Sequence, residues 1–305
     1  MKRFVLLLII LATFLVTATA CGGDDPVHLL APEATPGDFG VAVLERDFRV
    51  RVDDRVRTQI YLPTTDTETL ADGPFPVVLF LEGGAVTTDQ YAWIATHIAS
   101  QGYLVVMPEH FANLAIFSIG NGADVVEALD RASQRDGDPL FGRVDPTPAV
   151  VMGHSLGGVI AIKTWLDRRE RFSQLVLLQS RPDTADTDRL AEATFEPGEV
   201  FAIGGSEDLR ITPELIAEEL ARFSAPVPLA IIDGQNHFQL VDGSTPGQAA
   251  RDGAATIDDA TGRARLLALL DLILQSHREP GTVDITDPDT WPEGVIPFEA
   301  YQEGR

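Results

Sequence analysis

Six residues, GHSLGG at 153–158, stand between an apolar run, AVVM at 149–152, and a helix-like stretch at 159–168. A serine hydroxyl is a poor nucleophile, so it works only beside a base and with amide donors set where an oxyanion will form. A tight turn from strand to helix meets the second need. Gly153 and Gly157 leave room for a sharp turn that projects Ser155 outward, and the amide of Leu156, at the helix N-terminus, can face the oxyanion. The base and its acid should follow in the order Ser, Asp or Glu, His, each in a loop past a later strand. GGSED after the run VFAI provides Asp208, and DGQNHF after PLAII provides His237. In that arrangement His237 takes the serine proton and returns it to the leaving group, while Asp208 holds the imidazole in the productive tautomer. Glu207 shares the loop and is the alternative acid.

The remaining histidines fit this chemistry less well. His28 lies in an expected linker, His97 and His277 fall within expected helices, and His110 precedes the serine. His154 adjoins the nucleophile and is expected to support the turn or line the cleft. None has the spacing of a metal site. The second oxyanion donor is expected from the segment LEGGAVTTDQY at 81–91, with the amides of Gly84 and Ala85 as candidates. Tyr91 and Trp93 are candidate walls of an acyl pocket, or core residues.

These residues need a scaffold that brings strand ends together. FRVRV at 48–52 and RTQIYL at 57–62 alternate about Asp53 and Asp54 and read as an antiparallel hairpin. Apolar runs then follow at 76–81, 103–107, 149–152, 174–178, 200–203 and 228–232. They alternate with helical segments near 89–101, 121–134, 156–170, 213–223 and 262–277. This predicts an α/β fold whose mostly parallel sheet is covered by helices on both faces. About 20 residues separate the runs ending at 178 and beginning at 200, too few for a large lid.

The ends carry a different kind of signal. Lys2 and Arg3, the apolar run 4–16 and small residues at 18–20 read as a secretory signal peptide. The single cysteine, Cys21, follows at once, in a pattern that resembles a bacterial lipoprotein signal and implies lipidation of Cys21 and a membrane tether; Ala18 stands where such signals more usually have leucine, and cleavage without lipidation, giving a secreted form, is the alternative. The expected organisation is a signal peptide at 1–20, a linker at 21–38, a catalytic domain at 39–278 and an acidic tail at 279–305, to which no chemistry is assigned. One cysteine excludes an intramolecular disulfide, so stability must come from a core, for which 45% apolar residues are ample. A net charge of -23 makes nucleic acid a poor partner.

Four stretches together resemble the α/β-hydrolase superfamily: LFLEGGAVTTDQYAWIATHIASQGYLVVMPEH, GHSLGG, SED and NHFQLVDG. The likeness is to the compact branch of dienelactone hydrolases, chlorophyllases and bacterial polyester hydrolases, and it covers residues 43–275. It implies Ser155, Asp208 and His237 as a triad and Leu156 as an oxyanion donor. Many relatives begin the oxyanion loop with His-Gly where this chain has Glu82 and Gly83. Dienelactone hydrolases proper use cysteine where Ser155 stands, so their substrate is not expected. The expected activity is hydrolysis of small or polymeric carboxylic esters through an acyl-enzyme, with no cofactor. A thioesterase or amidase with the same triad, or a silent binding module of the same fold, are the alternatives.

Overall fold

Successive residues of the central strands pack on opposite faces, as the pleat requires. In β4 (Val77–Leu81), β6 (Ala149–His154), β7 (Phe172–Leu178) and β8 (Val200–Gly205), every residue but Ser173 is buried. Leu79, Leu81, Val151, Leu175, Leu177 and Ala202 join one apolar cluster; Val78, Phe80, Met152, Val176, Leu178 and Phe201 join the other. Such double burial, at about 1.5–3 kcal/mol for each large aliphatic side chain, is what selects a sheet sandwiched between helices. The computed structural model describes residues 27–29, 37–51, 54–66, 69–109 and 121–305. The signal peptide, Cys21 and His110 lie outside these residues.

The remaining strands are β1 (Val27–Leu29), β2 (Gly40–Arg51), β3 (Asp54–Thr64), β5 (Leu104–Pro108), β9 (Leu229–Ile232) and β10 (Val295–Pro297). The described residues form one sheet of order β1-β2-β3-β5-β4-β6-β7-β8-β9-β10. Strands β5 through β9 run parallel, whereas β1, β2, β3 and β10 join antiparallel. The expected hairpin is β2 with β3, paired from Gly40↔Thr64 to Arg51↔Asp54.

Helices α1 (Ala92–Ser100), α2 (Asn121–Ser133) and α3 (Leu156–Asp167) precede the short α4 (Thr187–Glu192). After them come α5 (Pro213–Leu220), α6 (Pro246–Ala249), α7 (Asp259–Arg278) and α8 (Phe298–Glu303). Val125 and Leu129 of α2, Ile160 and Trp165 of α3 and Ile216 of α5 cover one face. Ile94 and Ile98 of α1 and Leu266, Leu269, Leu270 and Ile273 of α7 cover the other. The stretch between β7 and β8, expected as loop, holds α4.

Both ends add to the sheet. Residues 27–29, expected as linker and including His28, pair with β2. The segment 279–305 contributes β10, paired with β9, and then α8. Trp291 sets its ring 5.7 Å from Phe201 and donates its indole N–H to the Ile285 carbonyl at 2.9 Å. Strands of three residues are too short to show a period of their own; pairing with a longer neighbour defines them.

Candidate active site

Strand β6 ends at His154 and α3 begins at Leu156, so Ser155 alone must turn the chain. It does so at φ 54° and ψ -120°, a conformation costly for any residue with a Cβ. The turn is held by the Ser155 amide on the Leu178 carbonyl at 3.0 Å, and by the Ser155 carbonyl, which accepts the Gly158 amide at 3.0 Å and the Ser180 hydroxyl. Glycines are required because backbone meets backbone: a Cβ at 153 would lie 2.3 Å from the Gly157 carbonyl oxygen, and one at 157 would lie 2.2 Å from that of Leu81. The Leu156 amide lies in the first turn of α3, where the helix itself offers no acceptor.

The candidate acid and base, Asp208 and His237, follow adjacent strands. Strands β8 and β9 are in register at Gly205↔Ile232, so the loops that leave them lie side by side. Asp208 is buried, and its Oδ1 accepts the amides of Arg210 and Ile211, each at 2.8 Å. That leaves Oδ2 for His237 Nδ1, at 2.7 Å. His237 begins a 3-10 turn at 237–240, fixed by reciprocal bonds between Asn236 and Gln239: the Asn236 side chain accepts the Gln239 amide at 3.1 Å, and Gln239 Oε1 accepts the Asn236 amide at 3.2 Å. Glu207, the alternative acid, instead accepts the Ser206 hydroxyl at 3.1 Å. With Nδ1 bonded to a carboxylate, Nε2 is the nitrogen through which His237 could act as a base.

The loop after β4 approaches from the third side. A Cβ on Gly84 would meet the Leu156 side chain at 3.2 Å, so Gly84 lies against the turn at Ser155. Ala85 is exposed with φ 61°, and its carbonyl accepts Gln248 Nε2 at 3.4 Å. The Gly83 amide is engaged by the Tyr91 hydroxyl at 3.1 Å.

Tyr91 and His154, read from the sequence as pocket residues or as core and turn support, stand behind the site. Tyr91 is fully buried, and its hydroxyl lies 2.7 Å from His154 Nδ1. His154 is buried too, its ring 4.6 Å from that of His237. Burial and the neighbouring His237 hold its pKa well below the ordinary histidine value. Neither presents surface to a substrate: the segment that follows β4 carries Tyr91 back against His154, at the end of the neighbouring β6. Trp93 is half-buried under the Arg263 guanidinium, 4.7 Å from its ring.

One residue of this region has no signature in the sequence. Asp252 accepts the Leu209 amide at 3.3 Å through Oδ1 and the Phe238 amide at 3.1 Å through Oδ2. It thereby ties the loop of Asp208 to the loop of His237. Aspartate is common throughout the chain, and nothing near position 252 distinguishes it.

Comparison with known proteins gives a consistent result. The chain is 32% identical over 172 residues to chlorophyllase-1, chloroplastic, of Citrus unshiu, covering 55% of this chain and 49% of that protein. The Citrus sinensis protein matches to the same extent. This chain is also 32% identical over 99 residues to bis(hydroxyethyl) terephthalate hydrolase of Streptomyces coelicolor, covering 32% of this chain and 30% of that protein. The chain thus spans about half the length of the chlorophyllases. A family model for the alpha/beta hydrolase family matches residues 77–262, a stretch that starts with β4 and reaches into α7, and on this match, with the sheet order and the strand-turn-helix at Ser155, the chain belongs to the alpha/beta hydrolase family.

Proposed function

We propose that the protein is a serine hydrolase of carboxylic esters, with Ser155 as nucleophile, His237 as general base and acid, and Asp208 as the group that orients His237. The observation that carries the reading is the buried 2.7 Å pair of Asp208 and His237, on loops that follow two strands of the same sheet whose β6 is followed directly by the strained Ser155. In the first half-reaction, Ser155 Oγ attacks the acyl carbon as its proton passes to His237 Nε2. The tetrahedral oxyanion rests on the Leu156 amide and on an amide of Gly84 or Ala85. Collapse releases the alcohol with the proton from His237. Water then attacks the acyl-enzyme by the same route and frees the acid.

Esters are favoured over the other acyl groups because one relative is named for hydrolysing bis(hydroxyethyl) terephthalate, an ester. A thioesterase or amidase would use the same residues. Export and anchoring through Cys21 belong to the same proposal and rest on residues 1–21. They are tested by replacing Cys21 with serine, which should release the protein from the membrane fraction.

The direct test of the chemistry is labelling by a fluorophosphonate probe, together with turnover of p-nitrophenyl esters from acetate to palmitate, for the protein and its Ser155→Ala variant. Labelling and turnover that both vanish in the variant support the ester hydrolase. Labelling without ester turnover supports the thioester or amide alternative. A folded protein that is never labelled is a silent binding module.

A further inference from the structure

Tyr91 and His154 are buried within the site and take no part in the chemistry just described. The Gly83 amide donates to the Tyr91 oxygen at 3.1 Å, and that oxygen also lies 2.7 Å from His154 Nδ1, within reach of the hydroxyl proton. A hydroxyl proton placed on that contact makes His154 Nδ1 the acceptor and leaves the ring's own proton on Nε2. Burial holds the Tyr91 hydroxyl far above its ordinary pKa, which keeps that proton in place. The packing leaves little slack: a Cβ on Gly83 would lie 3.0 Å from the Tyr91 oxygen and 3.1 Å from His154 Nδ1.

Each end of this short chain of bonds meets a part of the proposed machinery. Gly83 immediately precedes Gly84 and Ala85, the candidates for the second oxyanion donor. His154 precedes Ser155 and lies with its ring centroid 4.6 Å from that of His237, tilted by 41°. We propose that Tyr91 is a positioning residue: its hydroxyl, accepting the Gly83 amide and donating to His154 Nδ1, fixes the start of the oxyanion loop and holds the His154 ring against His237 with its lone pair occupied. The inference rests on the serine-hydrolase reading and deepens it. His237 must become an imidazolium in both half-reactions, and a neighbouring ring that stays neutral does not oppose that charge. An oxyanion donor contributes only when its amide is already aimed, and the Tyr91–Gly83 bond is the anchor from which the following two amides take their direction.

The test is Tyr91→Phe, which keeps the ring and removes the two hydrogen bonds. With p-nitrophenyl butyrate, kcat should fall at least tenfold while KM moves less than threefold. Affinity for an alkyl boronic acid, which mimics the tetrahedral intermediate, should fall in parallel with kcat/KM. His154→Phe should show the same split, and the double variant should lose no more than the worse single one, because both substitutions break one connected unit. Should Tyr91→Phe not fold, His154→Phe alone carries the test with the same expected split. A Tyr91→Phe protein with kcat within twofold of the parent, or one that loses only thermal stability, would overturn the positioning role. Absence of fluorophosphonate labelling in the parent protein would instead overturn the hydrolase reading, and this inference with it.

Discussion

Asp252 accepts the Phe238 amide at 3.1 Å, one residue beyond the histidine that pairs with Asp208. Its other oxygen takes the Leu209 amide, one residue beyond Asp208 itself. A single carboxylate thus sets the spacing of two loops whose side chains must meet within a hydrogen bond. Asp252→Ala should lower kcat about tenfold, within the loss that a displacement of about 1 Å can cause. Asp252→Asn, which keeps one acceptor, should fall between the two. Steady-state kinetics of the three proteins on one ester would check this ordering; equal kcat values would remove the clamp.

Asp208 and Glu207 are neighbours in sequence with opposite expected consequences. Asp208→Asn should reduce kcat by about 10⁴, the loss expected when the base is held in the wrong tautomer. Glu207→Gln should leave kcat within about twofold, since its carboxylate bonds to Ser206. A large loss in the Gln variant alone would transfer the role to Glu207.

The strain at Ser155 predicts a separation of stability from activity. Both Ser155→Gly and Ser155→Ala should be inactive, but the glycine variant should be more stable than the alanine variant by about 1 kcal/mol. Only glycine reaches φ 54°, ψ -120° without a Cβ penalty, and part of that gain is offset by its freer unfolded chain. Urea unfolding of the two variants would measure it.

Stability should depend on pH through His154. Its folded pKa lies well below 6.5, so below that value the unfolded chain binds a proton that the native protein does not. Stability is therefore expected to fall as pH drops from 7 to 5.5, approaching about 1.4 kcal/mol per pH unit for this group. His277, also lowered by burial, acts in the same direction. The slope should flatten in His154→Phe, as read by urea midpoints across that range.

Removing residues 279–305 should destabilise the fold rather than trim it. The deletion strips β10 from β9 and withdraws Trp291 from Phe201. Loss of the buried Trp291 ring alone is expected to cost about 3–5 kcal/mol. A truncated protein with an unchanged melting temperature would show the segment to be dispensable.

Local pattern was enough for much of this protein. The buried strands appear in the sequence as apolar runs because both faces of a parallel sheet must be apolar, and the turn at Ser155 is marked by glycines at positions where a Cβ would fall 2.2–2.3 Å from a backbone oxygen. Asp208 and His237 follow their strands at short, readable intervals. What the tertiary structure decided lies in contacts between distant segments, which leave no periodicity behind. Tyr91 and His154 are 63 residues apart, and Leu209 and Asp252 are 43 apart. Whether Tyr91 faces a substrate or a histidine, which carboxylate joins two loops, and which neighbour accepts a three-residue strand depend on where strands β4, β6, β8 and β9 stand side by side, because a polar group's role is set by the partner that burial brings to it.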